Sequence, residues 1–118
     1  MKLCYETLGT EQKAWEEAGV RLPAYNVQET AVRTWEHPRW IHFGAGNIFR
    51  AYMAKLQQRL LEAGETDTGI IAAEAFDWEL IDKLYIPYNN LTLLVTLYGD
   101  AHLEKEVVAS IAAGIKAG

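Results

Sequence analysis

The stretch that decides the fold is Phe43-Gly44-Ala45-Gly46-Asn47-Ile48-Phe49-Arg50. It follows a short run of β-forming residues, 40–43, and it opens directly into a long helical pattern. A strand that turns through glycines into a helix makes an anion site, because free backbone N–H groups and the positive end of the helix dipole face one point. The stretch therefore predicts a strand, a glycine turn and a helix whose first turn suits a phosphate group.

The two glycines occupy the first two positions of the dinucleotide-binding fingerprint. In that pattern, Gly44 permits the tight turn and Gly46 lets a pyrophosphate approach the backbone. The third glycine is replaced by Phe49, so the motif alone is weak, and its support is the strand before it and the helix after it. The alternative is a small α/β domain in which the glycines only turn the chain.

An apolar stripe predicts which face of the following helix packs on the core. Its members recur at spacings of three and four: Phe49, Tyr52, Met53, Leu56, Leu60 and Leu61. The positions expected to face water are Arg50, Lys55, Gln57, Gln58, Arg59 and Glu62. We expect Gly64 to end this helix.

A second strand brings an acidic residue to the same region. Residues 69–76 are almost continuously apolar, which predicts a strand buried on both faces of a parallel sheet. Asp77 follows, where a carboxylate binds the adenosine ribose or, alternatively, caps a short helix over 79–85. Glu74 is the weaker ribose candidate, because strand alternation can turn it into the sheet. A ribose-facing Asp77 would repel a 2′-phosphate, so NAD is expected in preference to NADP.

Two polar residues in the loop each have two possible roles. Arg50 either reaches a phosphate or lies in solvent, and Asn47 either donates to a cofactor or caps the helix. His42 is predicted to be a packed core histidine. No His, Cys or carboxylate pair has metal-ligand spacing, and no nucleophile signature occurs, so we predict no metal site and no catalytic residue.

The N-terminal segment, residues 1–39, is predicted to be a helical extension. Thr10 is expected to cap a helix over 11–18 that Gly19 ends. Asn26 and Glu29 have the spacing of a capping box, which predicts a second helix over 27–36.

The segment after the second strand is predicted to contain a hairpin. Strand-like runs at 91–98 and 106–111 are separated by a Gly99-Asp100 turn signal, which favours an antiparallel pair. If the strand near residue 95 has an open edge, the chain is expected to self-associate through it. The small residues of 112–118 predict no further element.

Composition limits the class of protein. The 118 residues allow one domain, and 50% hydrophobic with 23% charged residues is ordinary globular usage. A net charge of -5 argues against nucleic-acid partners, whose affinity depends on clustered Lys and Arg. No apolar run suits a membrane span, and a single cysteine without a secretory pattern is typical of the cytoplasm.

The run from Trp40 to Ala51 resembles the N-terminal Rossmann domain of the long-chain mannitol dehydrogenases, whose loop reads approximately F-G-x-G-x-[FI]-x-R. The stretches 76–85 and 90–97 are similar to that family's second strand and following hairpin. The resemblance implies an NAD-dependent oxidoreductase acting on a polyol, a ketose or a hexuronate. It implies a pyrophosphate loop formed by Gly44, Ala45, Gly46, Asn47, Ile48, Phe49 and Arg50, with Asp77 on the ribose.

The resemblance also sets the expected limits of the chain. Family members are several times longer, and their catalytic lysine and substrate-binding residues lie in a later helical domain. We therefore expect an α/β chain with residues 1–39 as the extension and 40–118 as a partial Rossmann-like, NAD-binding domain. Such a piece would bind the dinucleotide, act on a sugar or polyol only with the missing C-terminal domain, and be inactive alone. The alternative is a stand-alone nucleotide-binding or interaction module without catalysis.

Overall fold

The computed structural model describes residues 2–118, and within that range six strands form two three-stranded sheets. The strands are, in chain order, β1 (Val20–Arg21), β2 (Ile41–Phe43), β3 (Ile70–Glu74), β4 (Thr92–Leu97), β5 (Leu103–Val108) and β6 (Ile111–Lys116). One sheet has the order β2-β3-β6 and is parallel throughout. The other has the order β1-β5-β4, in which β4 and β5 form the predicted antiparallel hairpin and β1 runs parallel to β5. The second strand of this hairpin lies at 103–108, three residues earlier than the predicted 106–111, and residue 111 begins β6. The predicted α/β class with a Rossmann-like sheet and a hairpin is confirmed.

Two helices precede β1, and the other three connect consecutive strands. They are α1 (Tyr5–Thr10), α2 (Gln12–Glu17), α3 (Val27–Glu36), α4 (Ala54–Glu62) and α5 (Trp78–Leu80). A π-helical turn, Phe49–Met53, leads directly into α4, and a second one, Ile81–Tyr85, follows α5 and continues into a 3-10 turn, Ile86–Tyr88. No helix in the described range is long and apolar enough to cross a bilayer.

The parallel sheet contains one strand that the sequence did not predict. All five residues of β3 are buried between β2 and β6, as their continuous apolar character indicates. The prediction that 112–118 adds no element is wrong, because these residues form most of β6. Small residues are required there: a Cβ on Gly114 would lie 2.5 Å from Cδ2 of Tyr85, which packs across the strand.

The helix after the glycine turn buries only Phe49 and Leu61 of the predicted stripe, together with a face that was expected to be in water. Tyr52, Met53, Leu56 and Leu60 are exposed, whereas the buried residues of α4 are Ala54, Gln57, Gln58 and Leu61. The two glutamines are buried because their amides satisfy backbone groups in the interior. Gln58 donates to the carbonyl of Val107 at 2.8 Å and accepts from the N–H of Ala109 at 2.7 Å.

The N-terminal segment is helical, with a different break point. Thr10 does not cap a helix; it ends α1, and its hydroxyl donates to the carbonyl of Glu6 at 3.0 Å. Gly19, with a φ of +75°, follows the end of α2 as predicted.

The second N-terminal helix has the predicted bounds and half of the predicted capping box. The side chain of Asn26 accepts from the N–H of Glu29 at 3.0 Å. The Glu29 carboxylate does not reach back, because it accepts from Arg33 at 3.1 Å. Trp15 and Val20 pack with Leu91 and Val107 of the hairpin region, so the extension covers part of the second sheet. The domain boundary at residue 39 stays a prediction.

Candidate functional site

The glycine turn lies at the carboxyl end of β2, beside the carboxyl end of β3. Gly44 has a φ of +114°, a conformation that side chains rarely adopt, and its N–H donates to the carbonyl of Ala73 at 2.7 Å. At Gly46 no heavy atom lies within 4 Å of where a Cβ would stand, so this side of the turn is open to a ligand. Crevices outside the carboxyl ends of parallel strands are where such sheets bind ligands.

The helix that begins after the turn offers unused donors. Its earliest backbone hydrogen bond in the described range runs from the N–H of Arg50 to the carbonyl of Gly46 at 3.1 Å. The N–H groups of Asn47, Ile48 and Phe49 therefore have no acceptor within the helix. This arrangement can hold an anion such as a pyrophosphate.

An open cavity of about 440 Å³ adjoins the turn. Ligand sites commonly have volumes of about 300–1,000 Å³ and mostly apolar walls. The residues that line this one come from the end of β2, the turn and the start of the helix: His42, Gly44, Gly46, Asn47, Ile48, Phe49, Tyr52 and Met53. Five of the eight predicted site residues line this cavity: Gly44, Gly46, Asn47, Ile48 and Phe49. Ala45, a sixth, is buried within the same turn.

Phe49 explains why the third fingerprint glycine is not needed. Its ring is buried and stacks on the imidazole of His42, with ring centroids 4.2 Å apart. The Nδ1 of His42 in turn donates to the carbonyl of Gly44 at 3.0 Å. Helix and strand are thus separated by two stacked rings. The prediction of a core histidine is confirmed only in part, because His42 packs on Phe49 but is half-buried and lines the open cavity.

Glu74, the weaker candidate in the sequence, organises the loop from below. One carboxylate oxygen accepts from the N–H of Ala45 at 3.1 Å, and the other accepts from Phe76 and Asp77 at 3.2 and 3.3 Å. The backbone N–H groups of Phe76 and Asp77 hold the pKa of the Glu74 carboxyl below its usual range. The buried carboxylate therefore joins the turn to the segment after β3. The sequence signal for this role is that Glu74 is the single acidic residue in the otherwise apolar run 69–76.

Tyr85 holds the same turn from the second π-helical turn. Its hydroxyl donates to the carbonyl of Ala45 at 2.9 Å, and the residue is buried. Burial raises the pKa of Tyr85 far above its ordinary value, so the hydroxyl keeps its proton and remains a donor. Nothing local in the sequence indicates this contact, because 40 residues separate the two partners.

Arg50 lies beside the turn rather than in open solvent. Its guanidinium stands over the Tyr85 ring, 5.9 Å from the centroid, and Nη2 donates to the side-chain oxygen of Asn47. The Asn47 side chain makes no capping hydrogen bond; it accepts from Arg50. The two polar side chains are therefore held together at the mouth of the helix.

Asp77 is exposed at the carboxyl end of β3. Its side chain makes no capping bond to α5, and its N–H is bound by Glu74. The carboxylate is therefore available to a ligand, and its role on a ribose stays a prediction. Within residues 2–118, no group of three or more His, Cys, Asp or Glu side chains is arranged to hold a metal ion.

The fold and sequence are similar to those of sugar and polyol oxidoreductases. Over 116 residues, 98% of this chain and 21% of the relative, 47% of positions are identical to a D-mannonate oxidoreductase from Thermotoga maritima. A mannitol 2-dehydrogenase from Pseudomonas fluorescens, solved as a ternary complex with NAD and D-mannitol, matches with a TM-score of 0.75 and 25% identity over 98% of this chain and 22% of that one.

A D-sorbitol dehydrogenase solved in substrate-free form shares the fold, with a TM-score of 0.69 and 21% identity over 84% of this chain and 20% of that one. No protein-family model matches the chain. The chain spans about a fifth of the length of each of the three proteins. These findings confirm the resemblance to the mannitol dehydrogenases that the glycine turn indicates.

Proposed function

Since nearly the whole chain is similar to part of a mannitol 2-dehydrogenase and of a D-mannonate oxidoreductase, we propose that it is the NAD-binding portion of such an enzyme. The reaction would be hydride transfer between NAD(H) and a polyol, ketose or hexuronate. The observation that carries the proposal is the turn at Gly44 and Gly46, whose open side faces unused N–H groups at a helix start.

The residues around the turn fit a dinucleotide. The N–H groups after Gly46 would bind the pyrophosphate, with Arg50 beside them as a cation, and Asp77 would bind the adenosine ribose. When bound, NAD supplies or accepts the hydride. The residues of this chain bind and orient the dinucleotide, and none of them is assigned a catalytic role.

Substrate recognition is proposed to depend on residues outside this stretch. The relatives are about five times as long as this chain, and the apolar cavity beside the turn offers few groups for a hydroxylated sugar. We infer that the chain binds the dinucleotide and shows no turnover by itself. We also infer a cytoplasmic location, because NAD-dependent sugar metabolism and an unpaired Cys4 both suit a reducing compartment.

A calorimetric titration with NADH and NADPH tests the proposal. We expect NADH to bind at least about tenfold more tightly than NADPH, since the Asp77 carboxylate repels a 2′-phosphate. Asp77→Ala should remove that preference. Asp67→Ala is the control, because Asp67 is also exposed but lies before β3, at its opposite end. A folded chain that binds neither dinucleotide would refute the proposal.

We further infer self-association through β4. In the described range this strand pairs only with β5, and Leu93, Val95 and Leu97 on its outer face are exposed. An open strand edge with apolar side chains is a template for pairing with another chain. A second copy of the chain is the partner we propose for this edge.

A further inference from the structure

We propose that Tyr85 is a positioning residue of the dinucleotide site, one that aims the Gly46 N–H at the ligand. The inference rests on the proposed function above, and it adds a residue that lies outside the loop and outside the stretch that the fingerprint covers. Tyr85 does not line the open cavity, so any effect on binding has to pass through the turn or through Arg50, which its ring contacts.

The argument begins with the orientation of two peptide groups. In a trans peptide the C=O and N–H point in opposite directions. The peptide between Gly44 and Ala45 has its N–H on the Glu74 carboxylate and its C=O on His42. The next peptide has its C=O on the Tyr85 hydroxyl, so its N–H, that of Gly46, points away from Tyr85.

That direction is the open side of the turn. Tyr85 is fully buried beneath the loop, whereas Gly46 lines the open cavity, which Tyr85 does not reach. Without the hydroxyl, the peptide after Ala45 would lose the bond that sets its rotation. The Gly46 N–H would then sample orientations in which it cannot donate to a phosphate, and binding would have to pay for ordering it.

The tyrosine itself is held rigidly. Its ring packs against β6 so closely that a Cβ on Gly114 would lie 2.5 Å from Cδ2 and 3.0 Å from Cγ. The ring also lies under the Arg50 guanidinium. One side chain thus fixes a loop carbonyl with its hydroxyl and supports the neighbouring cation with its ring.

Tyr85→Phe tests the hydroxyl alone, because the phenyl ring keeps the packing and the contact with Arg50. We expect the affinity for NADH to fall by about threefold to tenfold, because binding then has to order the peptide between Ala45 and Gly46. Tyr25→Phe is the matched control: it removes another tyrosine hydroxyl, which donates to Gln58 at 2.9 Å, far from the turn. Both variants should lose similar unfolding free energy, and only Tyr85→Phe should lose affinity.

Amide measurements give a readout that stability does not move. In the free chain, the nitrogen-relaxation order parameter of the Gly46 N–H should fall in Tyr85→Phe and stay unchanged in Tyr25→Phe. In the wild-type chain, NADH should shift the Gly46 amide resonance strongly and the Ala45 amide little, since Ala45 stays on Glu74.

Three results would overturn the inference. One is an unchanged NADH affinity in Tyr85→Phe, another is an equal loss in Tyr25→Phe, and the third is a wild-type Gly46 amide that does not respond to bound NADH. The response of the wild-type Gly46 amide to NADH can be measured even if Tyr85→Phe does not fold, so it tests the inference independently of that variant. A wild-type chain that binds no dinucleotide refutes the proposed function instead, and the relaxation comparison at Gly46 still tests the role of Tyr85.

Discussion

At the residue scale, Glu74 shows how a buried charge can shape a loop. Its carboxylate is 8% exposed and accepts three backbone N–H groups, from Ala45, Phe76 and Asp77. Three donors compensate the loss of hydration and favour the ionised form. The charge therefore belongs to the architecture of the site, whether or not a ribose also reaches it.

We expect Glu74→Gln to lower the free energy of unfolding by about 1–3 kcal/mol at pH 7, because the amide presents only one acceptor oxygen. The folded-state pKa of Glu74 is depressed, so its stabilisation is present above the ordinary carboxyl pKa and is lost as the pH falls through the lower folded value. Urea unfolding at several pH values should show the difference from wild type shrinking in acid. Glu79→Gln, an exposed acid paired with Lys83, should cost less than about 0.5 kcal/mol. A deficit that persists unchanged at low pH would contradict this account.

At the element scale, α4 is held by hydrogen bonds where an apolar face was expected. Gln58 bonds to four groups: the Val107 carbonyl, the Ala109 N–H, the Tyr25 hydroxyl and the Glu106 carboxylate. Its neighbour Gln57 is also buried, and among residues 2–118 its side chain bonds only to the Thr68 carbonyl, at 2.8 Å. The single amide of Gln58 therefore contacts both the hairpin and the N-terminal connector.

The two glutamines allow a matched test. Gln58→Leu should lower the unfolding free energy by about 3–5 kcal/mol, since several buried polar groups lose their partner at once. Gln57→Leu should cost about 1 kcal/mol, because it leaves one carbonyl unpaired and adds apolar burial. Urea denaturation of both variants measures these two losses of unfolding free energy. Equal losses would mean that the network around Gln58 is no stronger than a single bond.

The same helix shows what the sequence reveals and what it does not. The strand, glycine turn and helix order, the buried β3 and the hairpin all follow from local patterns at 43–50, 69–76 and 91–98. The sequence indicated one apolar stripe, but which face of α4 is buried depends on what lies opposite. Backbone groups of the distant hairpin select the glutamine face. The sequence did not predict β6 for a similar reason. Glycine is a poor strand former, but only glycine at position 114 leaves room for the Tyr85 ring.

The sequence likewise indicated the part of the site that has a local pattern, and not the part that depends on tertiary contacts. The eight residues that the family resemblance implies lie at or directly after the carboxyl ends of β2 and β3, and their role in binding stays a prediction. Tyr85 acts through tertiary contact alone and has no local signature. Glu74 was visible, but its direction depended on the register of β3 against β2.

At the scale of the whole molecule, two of the regions with exposed apolar side chains bear on association. One follows the glycine turn along the outer face of α4, where Leu56 and Leu60 are 49% and 45% exposed. The other is the outer face of β4. Large exposed patches on a chain of this size favour association.

We expect sedimentation velocity to show concentration-dependent association of the chain, and Val95→Lys to shift it toward monomer. A lysine on an edge strand opposes pairing because its charge would be buried against the partner. Val32→Lys is the control, since Val32 is 58% exposed on α3 and Val95 is 51% exposed on β4. A wild-type chain that stays monomeric over a wide concentration range would refute association through β4.

The pairing of distant strands also bears on how the chain folds during synthesis. β3 gains its second neighbour only when β6 is available, and Ile70 then aligns with Ile111. β1 likewise waits for β5, where Val20 aligns with Lys105. On the ribosome the glycine turn and its helix therefore emerge well before the strands that complete the two sheets. The nascent chain would expose β2, β3 and α4 until residue 116 has left the exit tunnel, and sequence separations of this size slow folding.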